Sequence, residues 1–350
     1  MSILKDVKIW IGLLISGISL YFFTRDVVWS EVWQTVLTVS WILFIPSILI
    51  NFVNIYLRAI RWRSFLGEPA EPVNRLFGLL MVCFMGNSIL PARAGELIRG
   101  ILLAHKSTRR FTEILATVVV ERVFDFAGIL ICLAVVLAIA PFPVDEEGQL
   151  AFIIQTGGKA SLIFVSAVAV VLLIMTYLPE RSYRMVSILV RPLPNKIWGH
   201  PFQQKILDMT VSFERGLSTF RRPSSLLWTT FLTFVVWLLL AWSEYVMVQA
   251  FGLSDTVPFL GGILIMVAIC FAAAVPSAPG YVGLYQLAAK AVLVEFYGVK
   301  PGVAAAFAIV LWLSQIVPII IAGLISLNWM NIAFGEMIHA QKEASVSETS

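Results

Sequence analysis

The sequence predicts an all-α integral membrane protein with six full spans and two broken re-entrant helical hairpins, arranged as an inverted-topology repeat. Three observations carry this. Of 350 residues, 59% are hydrophobic and 13% charged, more apolar surface than a soluble domain can hide. Most apolar runs approach the ~20 residues that a helix needs to cross a bilayer, and two are instead interrupted by Pro and Gly. Adding 188 to residue numbers lays one half on the other: Pro91-x-x-x-Gly95 falls on Pro279-x-x-x-Gly283, 41–57 on 229–245 and 115–140 on 303–328. A single membrane domain over 1–335 follows, with halves of about 1–140 and 151–328 and a disordered tail at 336–350.

Taken in order, Lys5 and Lys8 precede an apolar run from Ile9 to Phe23. Thr24-Arg25-Asp26 offers no small-residue cleavage site, so this reads as an uncleaved first helix. Residues 27–40 alternate apolar and polar and predict a short interfacial helix, with Trp29, Trp33 and Trp41 at headgroup level. The second span, about Trp41–Leu57, carries Asn51 and Asn54, either interhelical glue or ligand contacts. Arg58, Arg61 and Arg63 follow and mark the cytoplasmic side. Residues 76–90 are too few to cross, break at Pro91 and Gly95, and return toward His105, Lys106, Arg109 and Arg110, which predicts a hairpin entered from the cytoplasm. A long helix is expected over Thr112–Ala140, then an acidic outside loop and a span over Ala151–Leu178.

Residues 180–225 hold eight Lys or Arg against three acidic residues, the strongest inside signal in the chain. Within them Phe202, Ile206, Met209, Phe213, Leu217 and Phe220 recur at helical spacing, as in an amphipathic helix lying on the cytoplasmic leaflet. A span over 226–251, a second interrupted pair over 258–297 and a last span over 303–327 complete the chain. Pro276, Pro279, Gly280 and Gly283 break the second pair, which is entered from outside. Both termini are then cytoplasmic. Inverted repeats of this kind place interrupted helices at the midplane with substrate between the halves.

The function is sought in residues 87–125, where six ionisable residues, besides those of a short connecting loop, sit in otherwise lipid-soluble sequence. Each costs about 2.5–3.5 kcal/mol on insertion scales, so it faces a cavity, a partner or a ligand. Arg93, Glu96 and Arg99 recur at i, i+3, i+6. Guanidinium matches phosphate oxygens with paired hydrogen bonds, so one reading is a phosphate clamp; the other is a cytoplasmic loop after a short span. Glu121, Arg122 and Asp125 share a helix face, and either lie buried and balance the arginines or sit at the interface. Tyr281 and Gln286 make the second hairpin's mouth aromatic and amide where the first is charged. Glu244 and Lys290 are further candidates, or a structural pair.

The basic residues are scattered between spans, and the formal charge of +4 gives no support to nucleic-acid binding. Cys83, Cys132 and Cys270 lie inside apolar runs with no disulfide or metal spacing. His105, His200 and His339 are far apart and form no ligand motif. No cofactor, metal or catalytic set is expected.

Asn87-Ser-Ile-Leu-Pro91-x-Arg93-x-Gly95-Glu96-x-x-Arg99, followed by Val120-Glu121-Arg122-x-x-Asp125, resembles the flippase-like family of lysylphosphatidylglycerol synthase transmembrane regions. Pro276-x-x-Pro279-Gly280-x-x-Gly283 looks like that family's second signature. The resemblance runs from the first helix to about residue 330. It implies a multi-pass protein of the inner membrane that moves a phospholipid or a polyprenyl-phosphate-linked lipid between leaflets. Asn87, Arg93, Glu96, Arg99, Tyr281 and Gln286 would then bind substrate, Glu121, Arg122 and Asp125 balance charge, and the Pro-Gly breaks gate. A membrane-embedded head-group transferase and a scaffold for a lipid-modifying enzyme, docking through 180–225, are the alternatives. The family's soluble transferase domain has no counterpart in the sequence, so that enzymatic activity is not expected here.

Overall fold

The structure is a computed structural model that describes residues 7–90, 94–139 and 222–337, with parts of 163–178, all of 179–190 and parts of 203–211. The described residues are helical throughout, with no strand. The helices are α1 (Val7–Thr24), α2 (Trp29–Thr38), α3 (Phe44–Leu66), α4 (Val73–Ile89), α5 (Gly95–Lys106), α6 (Phe111–Ile139), α7 (Pro179–Val190), α8 (Pro223–Ala250), α9 (Phe259–Ala274), α10 (Leu284–Ala291) and α11 (Pro301–Trp329). Four are long and apolar enough to cross a membrane: Trp41–Leu66, Phe111–Ile139, Pro223–Ala250 and Pro301–Trp329. Trp10–Thr24 with Trp29–Thr38, bent by 82°, makes a fifth if the pair is one span. The predicted span over 151–178 and the amphipathic segment after residue 190 lie largely outside the described residues, as does the tail from 338 on.

Local chemistry accounts for the element ends. Pro223 and Pro301 start α8 and α11, where a missing N–H costs nothing. Beside Gly302, in the first turn of α11, the Glu31 side chain of α2 leaves no room for a Cβ, and its negative charge suits that helix terminus. Trp29, Trp33 and Trp41 are exposed, as the interfacial reading of α2 expects. The second predicted span is longer than its apolar run: α3 continues as regular helix through Arg58 and Arg61 to Leu66. These two arginines are buried, so they do not mark a cytoplasmic loop as the sequence pattern suggests; Arg63 alone of the three is exposed.

Both short apolar helices stop at backbone breaks. Seventeen residues of α4 reach only about 25 Å. The start of α5 lies so close to the end of α4 that a Cβ at Gly95 would collide with the Cys83 carbonyl, and the Asn87 side-chain oxygen accepts the Gly95 N–H at 3.0 Å. After α9, Gly280 and Gly283 take φ of 71° and 90°, conformations that glycine adopts freely. Their surroundings satisfy the freed backbone, as a non-aqueous setting demands. Trp312 Nε1 donates to the Gly280 carbonyl at 2.7 Å, and Ser16 Oγ accepts the Ala278 N–H at 2.8 Å. The Gln286 side chain accepts the Gly283 N–H at 2.8 Å.

Packing repeats between the halves. α3 packs on α4 as α8 packs on α9, α4 on α5 as α9 on α10, and α5 on α6 as α10 on α11. The exchange extends across the middle, where α4 lies along α11 and α9 along α6. Each half has its own apolar core, one around Trp62, Leu80 and Met85, the other around Val267, Leu293 and Phe307. Cys132 and Val136 near the end of α6 join the second core, and Leu327 near the end of α11 joins the first. α3 and α8 form the most extensive contact and run antiparallel. Ser47 meets Ser243 (Oγ–Oγ 3.0 Å), Asn54 Nδ2 donates to the Val236 carbonyl, and Arg61 Nη1 donates to Thr233 Oγ1 at 3.1 Å, so one index falls as the other rises.

Candidate functional site

Three helices meet at Glu121 and Asp125 of α6. From α3, Arg58 Nη1 meets Asp125 Oδ2 at 3.0 Å and Arg61 Nη2 meets Asp125 Oδ1 at 2.5 Å. From α5, Arg99 Nη2 meets Glu121 Oε2 at 2.8 Å. Arg122, on α6 itself, lies 3.3 Å from both Glu121 and Asp125 and 3.6 Å from Glu96 Oε1. Arg61 also lies 3.7 Å from Glu121. Helical spacing makes this convergence possible: Asn54, Arg58 and Arg61 fall on one face of α3, Glu121 and Asp125 on one face of α6.

The cluster is dry. Arg61, Arg99 and Glu121 are fully buried, and Asp125 and Arg58 nearly so. Buried ions need neighbours that complete their hydrogen bonding. Arg58 Nε donates to Asn54 Oδ1 at 3.0 Å. The Arg99 guanidinium lies 4.6 Å over the Trp62 ring and that of Arg58 5.2 Å over Trp237, two cation–π contacts in desolvated surroundings. Four guanidinium groups meet three carboxylates here, leaving one positive charge uncompensated among the described residues. Several donors are also unused: Arg61 Nε, Arg99 Nε and Nη1, and Arg122 Nε are buried with no partner among the described residues. An excess of charge and of donors is what an anion would complete.

A cavity of about 570 Å³ opens beside the cluster. Arg58, Arg122, Asp125 and Glu96 give it one charged wall, and Asn51, Asn54, Asn87 and Gln315 add amides. The rest is apolar, including Phe84, Phe126, Trp237, Leu240 and Phe271. Elements of both halves line it. The Arg122 side chain is 41% exposed, the most open member of the cluster.

Of the residues singled out in the sequence, Asn87, Glu96, Arg122, Asp125 and Tyr281 line this cavity. Arg99 and Glu121 stand behind its wall, bonded to each other. Gln286 is buried and closes the cap of its own helix. Pro91 and Arg93 lie outside the described residues; Gly95, Pro276, Pro279, Gly280 and Gly283 sit at or beside the two breaks. Lys290 does not pair with Glu244; its Nζ donates to the Phe23 carbonyl at 2.8 Å, near the end of α1. Glu244 instead accepts from Gln315. Sequence reasoning missed Arg58 and Arg61 because basic residues after an apolar run look like a cytoplasmic flank. The available signal was Asn54-x-x-x-Arg58-x-x-Arg61, a polar stripe on one helix face.

Stability should expose the coupling. Removing one member of a buried ion pair strands the other, at a cost of about 3–5 kcal/mol. Glu121→Gln and Arg99→Met are each expected to lower the melting temperature in detergent clearly. Arg99→Met combined with Glu121→Leu should recover much of the loss, because the two paired charges leave together and the net charge of the cluster is unchanged. Unchanged melting in both single variants would contradict the coupling.

Residues 9–323 match the family model described as the lysylphosphatidylglycerol synthase TM region. A curated relative, the glycosyltransferase AglD of Haloferax volcanii, is 25% identical over 361 aligned positions that cover 97% of this chain. The chain spans 57% of the length of that relative. No solved structure matches. With nine-tenths of its length inside the family model and helices long enough to cross a bilayer several times, the chain is a multi-pass membrane protein of the lysylphosphatidylglycerol synthase TM region family.

Proposed function

We propose that this protein moves a lipid bearing a phosphate head group between membrane leaflets. The observation that carries the reading is the uncompensated guanidinium charge beside a largely apolar cavity built by both halves. Arg122 and Arg58 are placed to receive the phosphate, with Glu96 and Asn87 beside them, while the aromatic walls accept the first part of an acyl or polyprenyl chain. Arg99 and Glu121 act from behind as positioning residues. Arg93, next in sequence to the first break, joins the head-group set on its spacing to Glu96 alone.

The architecture that suits this task is an inverted-topology repeat of six spans and two re-entrant hairpins, α4–α5 and α9–α10. The antiparallel run of α3 against α8 and the matched packing of the two halves support it. One end of the molecule gathers basic residues: Arg109 donates to the carbonyls of Gly67 and Pro69, and Lys106 to that of Met330. That end is assigned to the cytoplasm by the charge rule. An inner-membrane location with both termini inside follows. The likeness to a glycosyltransferase of Haloferax volcanii favours a second reading, service to a lipid-modifying enzyme, in which the same cavity presents a lipid head group to a partner.

Reconstitution in liposomes tests the transport reading, with a fluorescent phospholipid and a polyprenyl-phosphate probe in separate arms. The wild type should speed the exchange of at least one probe. Arg122→Gln should slow it about tenfold or more, since a charge-assisted hydrogen bond contributes about 1.5–3 kcal/mol. Arg122→Lys should also be impaired, because an ammonium cannot reproduce the guanidinium fork. Wild-type liposomes no faster than empty ones, or an Arg122→Gln variant at full speed, would count against it.

Topology has its own test. In a background with Cys83, Cys132 and Cys270 replaced, Asp255→Cys should react with an impermeant thiol reagent on intact cells. Thr108→Cys should react only after the membrane is opened. Labelling of both from the same side would exclude the inverted arrangement.

A further inference from the structure

Glu121 and Asp125 of α6 are held by arginines; Glu244 is not. Glu244, near the end of α8, is 2% exposed and has no ion-pair partner among the described residues. Gln315 Nε2 of α11 donates to its Oε1 at 2.6 Å, and its Oε2 is buried with no hydrogen bond. The groups that face it supply no cation. α11 contributes the neutral amide of Gln315. α10 contributes Tyr285, whose hydroxyl is buried and also without a partner, and α9 contributes Cys270. α3 contributes Ser47, bonded to Ser243, the residue before Glu244. The cluster of Arg58 and Arg61 of α3 with Glu121, Arg122 and Asp125 of α6 holds one guanidinium more than its carboxylates, but none of its arginines pairs with Glu244 among the described residues. Lys290 of α10 is committed to the Phe23 carbonyl.

An ionised carboxylate in such a place has only the neutral Gln315 amide against its desolvation, whereas the acid form carries no charge. The unbonded oxygen has room in its hydrogen-bonding for that proton. Gln315 also lines the main cavity, so one amide side chain touches both the carboxyl and the substrate space. We propose that Glu244 is a reversible proton-binding site, protonated in this closed arrangement and deprotonated when α11 draws Gln315 away and cavity water reaches it. On release the acid O–H bond breaks, the carboxylate keeps the electron pair and the proton passes to water; nothing is oxidised or reduced. The proton site stands on its own geometry. Its consequence, that lipid movement is proton-linked, rests on the transport reading above.

Infrared difference spectroscopy of the full chain in lipid, between mildly acidic and alkaline buffer, reads the site directly. The wild type should show a protonated-carboxyl stretch that disappears on the alkaline side, and Glu244→Gln should lack it. If Glu244→Gln does not insert, Glu244→Asp keeps an acid of different reach and must move the band. A variant spectrum identical to wild type, or a band that never titrates while the protein stays folded, overturns the proposal. In liposomes, an imposed pH gradient should speed movement of the fluorescent phosphate lipid several-fold for the wild type and not for Glu244→Gln. Equal acceleration of both overturns the link to transport. Liposomes in which the wild type moves no lipid defeat the transport reading, while the infrared titration still decides whether Glu244 binds a proton.

Discussion

The ion pairs between α6 and the arginines of α3 and α5 constrain everything around them. Glu121 and Asp125 are buried in apolar helix, and neither could stay ionised there alone. Arg61 and Arg99 reach them from opposite directions, so α3, α5 and α6 must hold one relative placement for the charges to be met. The close approach at Gly95 follows from this requirement, since it delivers Arg99 to Glu121 from a helix too short to cross the membrane by itself. Gly128 does the same between α6 and α8: a Cβ there would collide with Trp237, the ring over which Arg58 lies. A network of this kind is poor evidence of net stability, because well-packed apolar residues do as well or better. Its place beside a cavity points to use.

Much of this was legible in the sequence and some was not. α6 was readable almost to the residue, because a long apolar run with charges four apart has few alternative structures. The two breaks were readable because Pro and Gly have no other reason to recur at one spacing. Arg58 and Arg61 were not, since insertion statistics treat a basic residue after a span as a flank, and only the polar stripe they share with Asn54 hints that α3 runs another two turns. Arg99 looked like a group that meets ligand; its burial against Trp62 and Glu121 depends on tertiary placement that spacing does not encode. Gln286, chosen as a contact, serves its own helix cap, a local competition that a Gly three residues earlier could have signalled.

Matched packing does not carry matched chemistry in the cavity lining. The two halves pack alike, yet the first carries arginines and carboxylates where the second has Tyr281, Trp312 and Gln315. A symmetric scaffold with an asymmetric lining gives the cavity one ionic wall and one neutral wall. A phosphate head group would engage the first, and the second is free to move without breaking ion pairs. Amides at Asn51, Asn54 and Asn87 bridge the two kinds of surface.

The central claim is that the open guanidinium of Arg122 holds an anionic head group, and the lipid that travels with the protein reports on it most directly. Native mass spectrometry of the protein released from a mild detergent should find a phosphate-bearing lipid enriched over the bulk membrane. The same measurement on Arg122→Gln should return bulk composition. An identical lipid profile in both proteins, or enrichment of a lipid without phosphate, would contradict the account.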